Sequence, residues 1–325
     1  MSFAPDVHYP ANSALRSAWI VAQRPQRNAL DPDRPYAFFV EDERSATGEI
    51  VPVATIFLTN RECPWHCVMC DLWKNTLPDS VGTNAIPRQI QFALERLPPA
   101  RQIKLYNSGS FFDGRAIPRG EDAAIARLVQ DFDRVIVECH PALVGERCFA
   151  FRERLGTALE VAIGLETAHP GVLEKLNKQM TVGQFRQAAE ALRAHDIALR
   201  VFLLVQPPFM NPEETLEWTR RSVDFAFECG ATAVSLIPTR GGNGAMETLA
   251  RIGEFVPPRL AALEAAVEHG LGSKCGRVFA DVWDLRQGAA GCAQCWPARI
   301  ARLAEMNLHQ HPAVRVECTA CGGRS

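Results

Sequence analysis

The stretch that decides the architecture is Val53-Ala54-Thr55-Ile56-Phe57-Leu58, followed after four residues by Cys63-Pro64-Trp65-His66-Cys67-Val68-Met69-Cys70. The first part is a short β-branched, apolar run bounded by polar residues, and it predicts a buried strand. Three cysteines placed directly after a strand can bring three thiolates to one centre. Three thiolates leave one position open at a tetrahedral metal ion or at an all-cysteine cluster. An open coordination position is what chemistry at a metal requires.

Similar apolar runs recur along the chain, and amphipathic segments separate them. The predicted strands are Val53–Leu58, Gln102–Tyr106, Arg134–Glu138, Leu159–Gly164, Leu199–Val205 and Ala233–Ile237. The predicted helices are Pro87–Leu97, Glu121–Phe132, Gly145–Leu155, Val182–His195, Pro212–Cys229 (with Asn211 as N-cap) and Met246–Arg251. Alternating strands and helices predict parallel strands with right-handed crossovers. The pattern does not decide between an open sheet and a barrel, but either places function at the carboxyl ends of the strands.

Two segments flank this repeat. Tyr36–Glu43 and Ile50–Thr55, joined by the turn Ser45–Gly48, predict a hairpin that leads into the first strand. A further helix (Arg259–His269) and a short strand (Val278–Trp283) precede a tail that contains cysteines. We therefore divide the chain into an N-terminal extension with the hairpin (1–50), a core (51–256) and a C-terminal extension (257–325).

Composition narrows the class of protein. The chain has 325 residues, 47% of them hydrophobic and 22% charged, which excludes a fibrous or wholly disordered protein. Its net charge of −2 gives no general attraction to nucleic acid. Eleven cysteines, an odd number, fit a disulfide-stapled secreted domain poorly. The first six residues lack the apolar core of a signal peptide, and the longest apolar stretches are too short to cross a membrane. We expect a cytoplasmic protein without membrane contact, whose cysteines are metal ligands or core residues.

The cysteine triplet after the first strand of a parallel α/β repeat resembles the radical S-adenosylmethionine (SAM) superfamily. The resemblance implies a partial (β/α)6 TIM-like barrel in which Cys63, Cys67 and Cys70 hold three irons of a [4Fe-4S] cluster. The fourth iron would bind the amino and carboxylate groups of SAM. It further implies a reductase, flavodoxin or ferredoxin as electron donor, and cleavage of SAM to a 5′-deoxyadenosyl radical that abstracts hydrogen from a substrate. The alternative is a zinc knuckle with a distant fourth ligand.

The same resemblance assigns further residues to SAM binding. Met69 replaces an aromatic residue that the family usually has near the adenine. Asn107-Ser108-Gly109 follows the second strand, where the family binds the amino group of SAM. Glu166, after the fourth strand, is expected at the ribose or the methionine head. Arg200 is expected at the SAM carboxylate or ribose, and Pro238 begins a stretch like the adenine-side loop. Each has a structural alternative: a turn, a surface carboxylate, an exposed arginine or a flexible loop.

The segment from Ile163-Gly164-Leu165-Glu166-Thr167 to Asn177-Lys178 resembles one branch of that superfamily. The branch contains the elongator catalytic subunit, coproporphyrinogen-type enzymes and the archaeosine synthase radical subunit, and it favours tRNA base modification. The small basic patch Arg24-Pro25-Gln26-Arg27 instead predicts a solvated segment, so a small metabolite, peptide or natural product stays open as substrate. His140 is a possible proton donor, although a histidine there is more often packing, and no catalytic residue is assigned. The competing class is a non-catalytic zinc-bound scaffold or nucleic-acid-binding module.

A second set of cysteines forms two pairs, Cys292-Ala293-Gln294-Cys295 and Cys318-Thr319-Ala320-Cys321, with 22 residues between them. This spacing is typical of a four-thiolate metal site. Such a closed shell suits Zn²⁺ or an auxiliary [4Fe-4S] cluster, and the compact pairs favour zinc. His309 and His311 are alternative ligands or surface residues. The turns would use glycines at positions Gly291, Gly322 and Gly323.

Overall fold

The structure, a computed structural model, describes residues 8–285 and 290–321. Eight strands form one sheet in chain order, with β1 antiparallel to β2 and every later pair parallel. The strands are β1 (Ala37–Arg44), β2 (Ile50–Phe57), β3 (Gln102–Tyr106), β4 (Arg134–Glu138), β5 (Ala158–Glu166), β6 (Ala198–Val205), β7 (Ala233–Pro238) and β8 (Arg277–Ala280).

Helices connect the strands and flank them. They are α1 (Ser13–Ala22), α2 (Ala85–Leu94), α3 (Asp122–Leu128), α4 (Glu146–Arg154), α5 (Pro170–Lys175), α6 (Val182–Ala194), α7 (Thr215–Glu228), α8 (Ala245–Arg251), α9 (Leu260–Ser273) and α10 (Trp296–His309). Within the described residues, none of them is long and apolar enough to cross a membrane.

Local sequence explains where these helices begin. Thr181 and Gln184 form a capping box at the start of α6, which satisfies backbone donors that a helix leaves unpaired. The start predicted for α7 is wrong: the helix begins at Thr215. The side chain of Asn211 accepts a hydrogen bond from the amide of Glu213 instead, at 3.1 Å, and so stabilises a turn ahead of the helix.

The sheet curls strongly, as buried ion pairs between distant strands show. Lys104 on β3 and Arg200 on β6 both bind Glu43 on β1, at 2.6 and 2.5 Å. Residues of strands so far apart in the sheet can meet only if the sheet encloses an interior. We call the charged residues in this interior, of which all but the partly exposed Arg134 are buried, the interior ion cluster: Glu43, Lys104, Arg134, Glu160, Arg200 and Arg277. The alternate strand residues, such as Ile103 and Leu105, are buried in the apolar core on the other face.

The two ends of the sheet approach each other without pairing as strands. Phe39 of β1 stacks on Trp283, just after β8, with ring centroids 4.8 Å apart. Helix α10 packs against both β1 and β8. The predicted partial TIM-like barrel with an N-terminal hairpin is therefore confirmed, and β8 adds a seventh parallel strand. The predicted strand Val278–Trp283 is shifted, since β8 ends at Ala280.

Candidate functional site

The cysteine loop, residues 63–70, follows β2 at the carboxyl edge of the parallel strands. Buried asparagines from two other connections hold its backbone. Asn177 Nδ2 donates to the carbonyl of His66 at 2.8 Å. Asn243 Nδ2 donates to the carbonyls of Val68 at 2.8 Å and Cys70 at 3.0 Å. The barrel therefore fixes the loop from the β5–α6 and β7–α8 sides.

The three thiols of this loop are free and partly buried. Burial raises the pKa of Cys63, Cys67 and Cys70 to about 12, and each thiolate would further raise the pKa of a neighbouring thiol in the triplet. Thiolates, not thiols, are metal ligands. Such a group holds three negative charges together only when a cation lies at its centre.

Lys178 brings a positive charge to this group. Its ammonium group lies near Cys63 and Cys67 and favours their thiolate forms. It also pairs with Glu166 at 2.5 Å, and both side chains are buried. Glu166 has φ of +66° at a bulge in β5, and a Cβ on Gly164 would lie 2.2 Å from its Oε1. A role for Lys178 was not predicted from the sequence, although the Asn177-Lys178 pair lies in the segment that resembles the superfamily branch.

The stretch after β3 is fixed by another buried carboxylate, which the sequence analysis also missed. Glu138 at the end of β4 accepts a hydrogen bond from the amide of Asn107 at 2.9 Å, and the amides of Ser108 and Gly109 also donate to it. Gly109 packs on the cysteine loop, since a Cβ there would lie 3.2 Å from the Cβ of Cys63. Asn107 Oδ1 is buried and has no hydrogen-bond partner among the described residues. An acceptor of this kind beside the cysteine loop suits a ligand donor.

The titration of Glu138 gives a testable pH dependence. Burial raises its pKa from 4.5 to about 7. Between these values the folded state binds more protons than the unfolded state, so the free energy of unfolding falls as pH rises. We expect a steeper fall from pH 5 to 7.5 in the wild type than in Glu138→Gln, measured by urea unfolding. Equal slopes would show that Glu138 does not titrate in this range.

His140 is held as a neutral ring. Its Nε2 contacts the carbonyl of Lys178 at 3.0 Å, and its Nδ1 accepts from the amide of Ala142 at 3.2 Å. Burial and the charge of Lys178 lower its pKa to about 4. Trp65 of the cysteine loop stacks on it, with centroids 3.7 Å apart. The hypothesis that His140 donates a proton loses its basis, and the ring instead supports the loop.

Three other candidates lie in different surroundings. Met69 is partly buried and packs against the apolar core. Pro238 ends β7 and is followed by Thr239, whose hydroxyl is buried without a partner among the described residues. Arg200 binds Glu160 at 2.6 Å as well as Glu43 inside the barrel. These contacts hold Arg200 inside the barrel, and its expected contact with SAM stays a prediction.

The N-terminal segment covers the cysteine loop. Arg24 and Arg27 both bind Glu62, directly before the loop, and the side chain of Arg24 is only 10% exposed. Gly244 approaches this segment so closely that a Cβ would lie 1.9 Å from the carbonyl oxygen of Gln23. The expectation of a solvated Arg24–Arg27 segment therefore holds for Pro25 and Gln26, which are exposed, but not for Arg24, because Glu62 supplies a partner that the local pattern did not show.

The four C-terminal cysteines form a compact group. The ligand atoms of Cys292, Cys295, Cys318 and Cys321 all lie within 4.8 Å of one another. The Sγ atoms of Cys292 and Cys318 are 3.9 Å apart, as are those of Cys295 and Cys321. Within the part of the chain that the structure describes, neither His309 nor His311 belongs to this group. Gly322 and Gly323 lie outside the described residues. The predicted four-cysteine metal-binding group is confirmed.

The group is tied to the barrel by α9 and α10. Arg299 of α10 binds Glu264 of α9 at 2.5 Å, and it also lies against the sulfur of Cys295, whose thiolate form it favours. Arg302 binds Glu268 of α9 at 2.6 Å. Because α10 also packs on β1 and β8, this group lies next to the seam of the barrel.

The chain as a whole is similar to several known proteins. No protein-family model matches the chain. An uncharacterized protein of Methanocaldococcus jannaschii is 25% identical over 251 residues, which is 72% of this chain and 69% of that protein. Archaeosine synthase subunit beta of Methanosarcina acetivorans is 26% identical over 221 residues, which is 63% of each chain. The chain resembles radical SAM proteins.

A solved structure supports the same resemblance at the level of fold. The archaeal Elp3 of Methanocaldococcus infernus superimposes with a TM-score of 0.50 and 16% identity, covering 72% of this chain and 59% of Elp3. The predicted resemblance to the radical SAM branch of the elongator catalytic subunit and archaeosine synthase is therefore confirmed. The chain spans less than two thirds of both the Methanosarcina protein and Elp3.

Proposed function

We propose that this protein is a radical SAM enzyme whose Cys63, Cys67 and Cys70 hold a [4Fe-4S] cluster. The observation that carries the proposal is the placement of three free, partly buried thiols at the carboxyl edge of a partial barrel, with Lys178 beside them. When bound, the cluster would supply the electron that cleaves SAM to a 5′-deoxyadenosyl radical, which takes hydrogen from the substrate. A zinc knuckle is less favoured because, among the described residues, the ligand group compact enough for a single ion is the C-terminal one, and this triplet is not part of such a group.

The residues around the triplet fit the cluster and SAM. Lys178 offsets the negative charge of the thiolates. Glu138 binds the amides of Asn107, Ser108 and Gly109, and this orients the carbonyl oxygens of Ser108 and Gly109 as acceptors for the ammonium group of SAM, whereas the carbonyl of Asn107 already accepts from Asn60 at 2.8 Å. Asn107 Oδ1 offers a further acceptor. Glu166, an acceptor-only group when ionised, can exchange part of its contact with Lys178 for a ribose hydroxyl or an ammonium.

The chain's own residues also keep the loop in one conformation and cover it. Asn177 and Asn243 bind its carbonyls, which limits its movement on ligand binding. Trp65 and His140 form one wall, and the segment around Arg24 forms another. Exclusion of water strengthens electrostatic contacts inside the site and protects reactive species from side reactions. The protein's contribution is thus orientation, shielding and tuning of the cluster's potential.

For the substrate, we propose a base in tRNA. The support is the 26% identity to archaeosine synthase subunit beta of Methanosarcina acetivorans over 63% of both chains. The net charge of −2 argues against a large general attraction to RNA, so binding would depend on local surfaces. If the substrate is instead a small metabolite or a peptide, the proposal of a tRNA base is wrong.

At the C-terminal cysteines we propose a single zinc ion. A tetrahedral ion with Zn–S bonds of about 2.3 Å places its sulfurs about 3.8 Å apart. The observed 3.9 Å pairs agree with that geometry. An auxiliary [4Fe-4S] cluster has one iron for each thiolate and spreads its ligands around a larger body. The closeness of all four sulfurs therefore favours one ion.

The proposed function is tested by anaerobic purification and reconstitution, with iron, sulfide and zinc measured together. We expect about four irons and one zinc per chain. Addition of SAM and dithionite should then give 5′-deoxyadenosine. About eight irons without zinc would replace zinc by a second cluster. Zinc at both cysteine groups, with no iron, would show that the protein is a binding scaffold instead of a radical enzyme.

A further inference from the structure

The interior ion cluster has more cations than carboxylates. Its cations are Lys104, Arg134, Arg200 and Arg277. Nearby arginines lower the pKa of Glu160 to about 2, and Arg200 and Lys104 hold the pKa of Glu43 well below its usual range. Both carboxylates are therefore ionised at neutral pH. Even with Glu41, which is 36% exposed and lies 3.1 Å from Lys104, these residues carry a net positive charge.

Arg134 is the poorly paired member of this cluster. Glu160 accepts hydrogen bonds from Arg200 at 2.6 Å and from Arg277 at 2.8 Å, whereas Arg134 Nη1 lies 3.5 Å from it. Burial and the two other arginines lower the pKa of Arg134. The side chain of Arg134 is 17% exposed, so most of its charge is removed from water without a full partner, which is unfavourable. An additional anion near Arg134 would complete the pairing of its charge.

A cavity of about 400 Å³ opens directly on Arg134, at the amino ends of β4, β5 and β6. Arg152 and Arg193 also line it, and Arg193 has no carboxylate within 4 Å among the described residues. The acidic residue in its lining is Asp196, which is exposed and lies 3.3 Å from Arg152. Three arginines and one carboxylate thus surround this space.

The other side of the cluster is less accessible to an anion. The ring of Phe279 lies over it, with its centroid 5.2 Å from the Arg200 guanidinium and 5.9 Å from that of Arg277. Tyr106 lies on that side as well, 6.2 Å from Phe202 between ring centroids. Aromatic faces stabilise the cations but add no net charge. An anion that compensates Arg134 would therefore enter from the cavity.

We propose that this cavity binds a small phosphorylated anion, held by Arg134, Arg152 and Arg193. Arginine presents a planar set of donors that matches phosphate oxygens, and buried guanidinium–phosphate contacts are strong. The site lies at the amino ends of strands whose carboxyl ends carry the cysteine loop. It is thus separate from the proposed SAM site and does not depend on the proposed function. Its ligand would stabilise the folded barrel by neutralising the interior ion cluster.

The test uses inorganic pyrophosphate as the probe, at constant ionic strength, with thermal unfolding and calorimetric titration. We expect pyrophosphate to raise Tm by a few degrees in the wild type and in Arg220→Gln, an exposed arginine on α7. Arg134→Gln should abolish the shift, and Arg193→Gln should weaken binding about tenfold. Without pyrophosphate, Arg134→Gln should be at least as stable as the wild type, because a poorly paired and largely desolvated charge is removed.

Two results would overturn the proposal. Absence of binding in the wild type would show that the cavity takes no such anion. Equal binding to the wild type, Arg134→Gln and Arg193→Gln would show that pyrophosphate binds elsewhere. A short single-stranded RNA in a parallel titration identifies the source of the phosphate. Binding of the RNA that needs Arg193, without binding of pyrophosphate, would replace a small anion by an RNA backbone.

Discussion

Replacement of Cys67 by alanine is expected to reduce the iron content of the anaerobically reconstituted protein from about four atoms per chain to near zero. Formation of 5′-deoxyadenosine from SAM and dithionite should fall below detection, a loss of at least about 100-fold. Two thiolates cannot hold a cluster that needs three protein ligands. The zinc content should not change, because the second cysteine group consists of other residues, before and after α10.

The matched control for this substitution is Cys229→Ala. Cys229 is a buried cysteine at the end of α7 and is 4% exposed, so its loss tests packing alone. Removal of one buried sulfur should leave the iron content and 5′-deoxyadenosine formation close to those of the wild type. If Cys67→Ala keeps its iron, or if Cys229→Ala loses it equally, the cysteine triplet is not the cluster site.

The order of strands could be predicted from sequence because each buried parallel strand is a distinct apolar run. All six predicted strands overlap β2 to β7, and the hairpin before them is β1 and β2. The curvature of the sheet could not be predicted in this way. It depends on contacts such as Glu43 with Arg200, whose members are 157 residues apart and look like ordinary charged residues in the sequence.

The same limit applies to the candidate site. The cysteine triplet was visible because its ligands lie close together along the chain. Glu138 and Lys178 were not recognised, because each acts through a partner from another strand end. Arg200 shows the converse limit: a lone arginine in a strand does not reveal that two buried carboxylates bind it in the fold. Motifs whose residues are close in sequence could be predicted. Buried ion pairs between distant residues could be recognised only once the fold was known.

Cys295→Ser is expected to remove the zinc ion and to lower Tm by about 4 °C, with iron and 5′-deoxyadenosine formation retained at low temperature. Structural zinc adds about 10–16 kcal/mol of apparent binding free energy in small peptides. If about 3 kcal/mol of this is coupled to unfolding of the barrel, the shift has the stated size. Coupling is expected because α10 packs on β1 and β8, at the seam where the sheet ends meet.

Cys275→Ser provides the control, since Cys275 is exposed and lies outside the four-cysteine group. It should keep zinc, iron and Tm. Metal analysis of Cys295→Ser also separates the two identities of the second site. Loss of one zinc with about four irons retained supports a single ion, whereas loss of about four of eight irons would show an auxiliary cluster. A Tm equal to that of the wild type, with zinc absent, would mean that the site does not stabilise the seam of the barrel. The four-cysteine group would then be a separate binding element attached to α10. Its metal would serve contacts with a partner instead of the stability of the barrel.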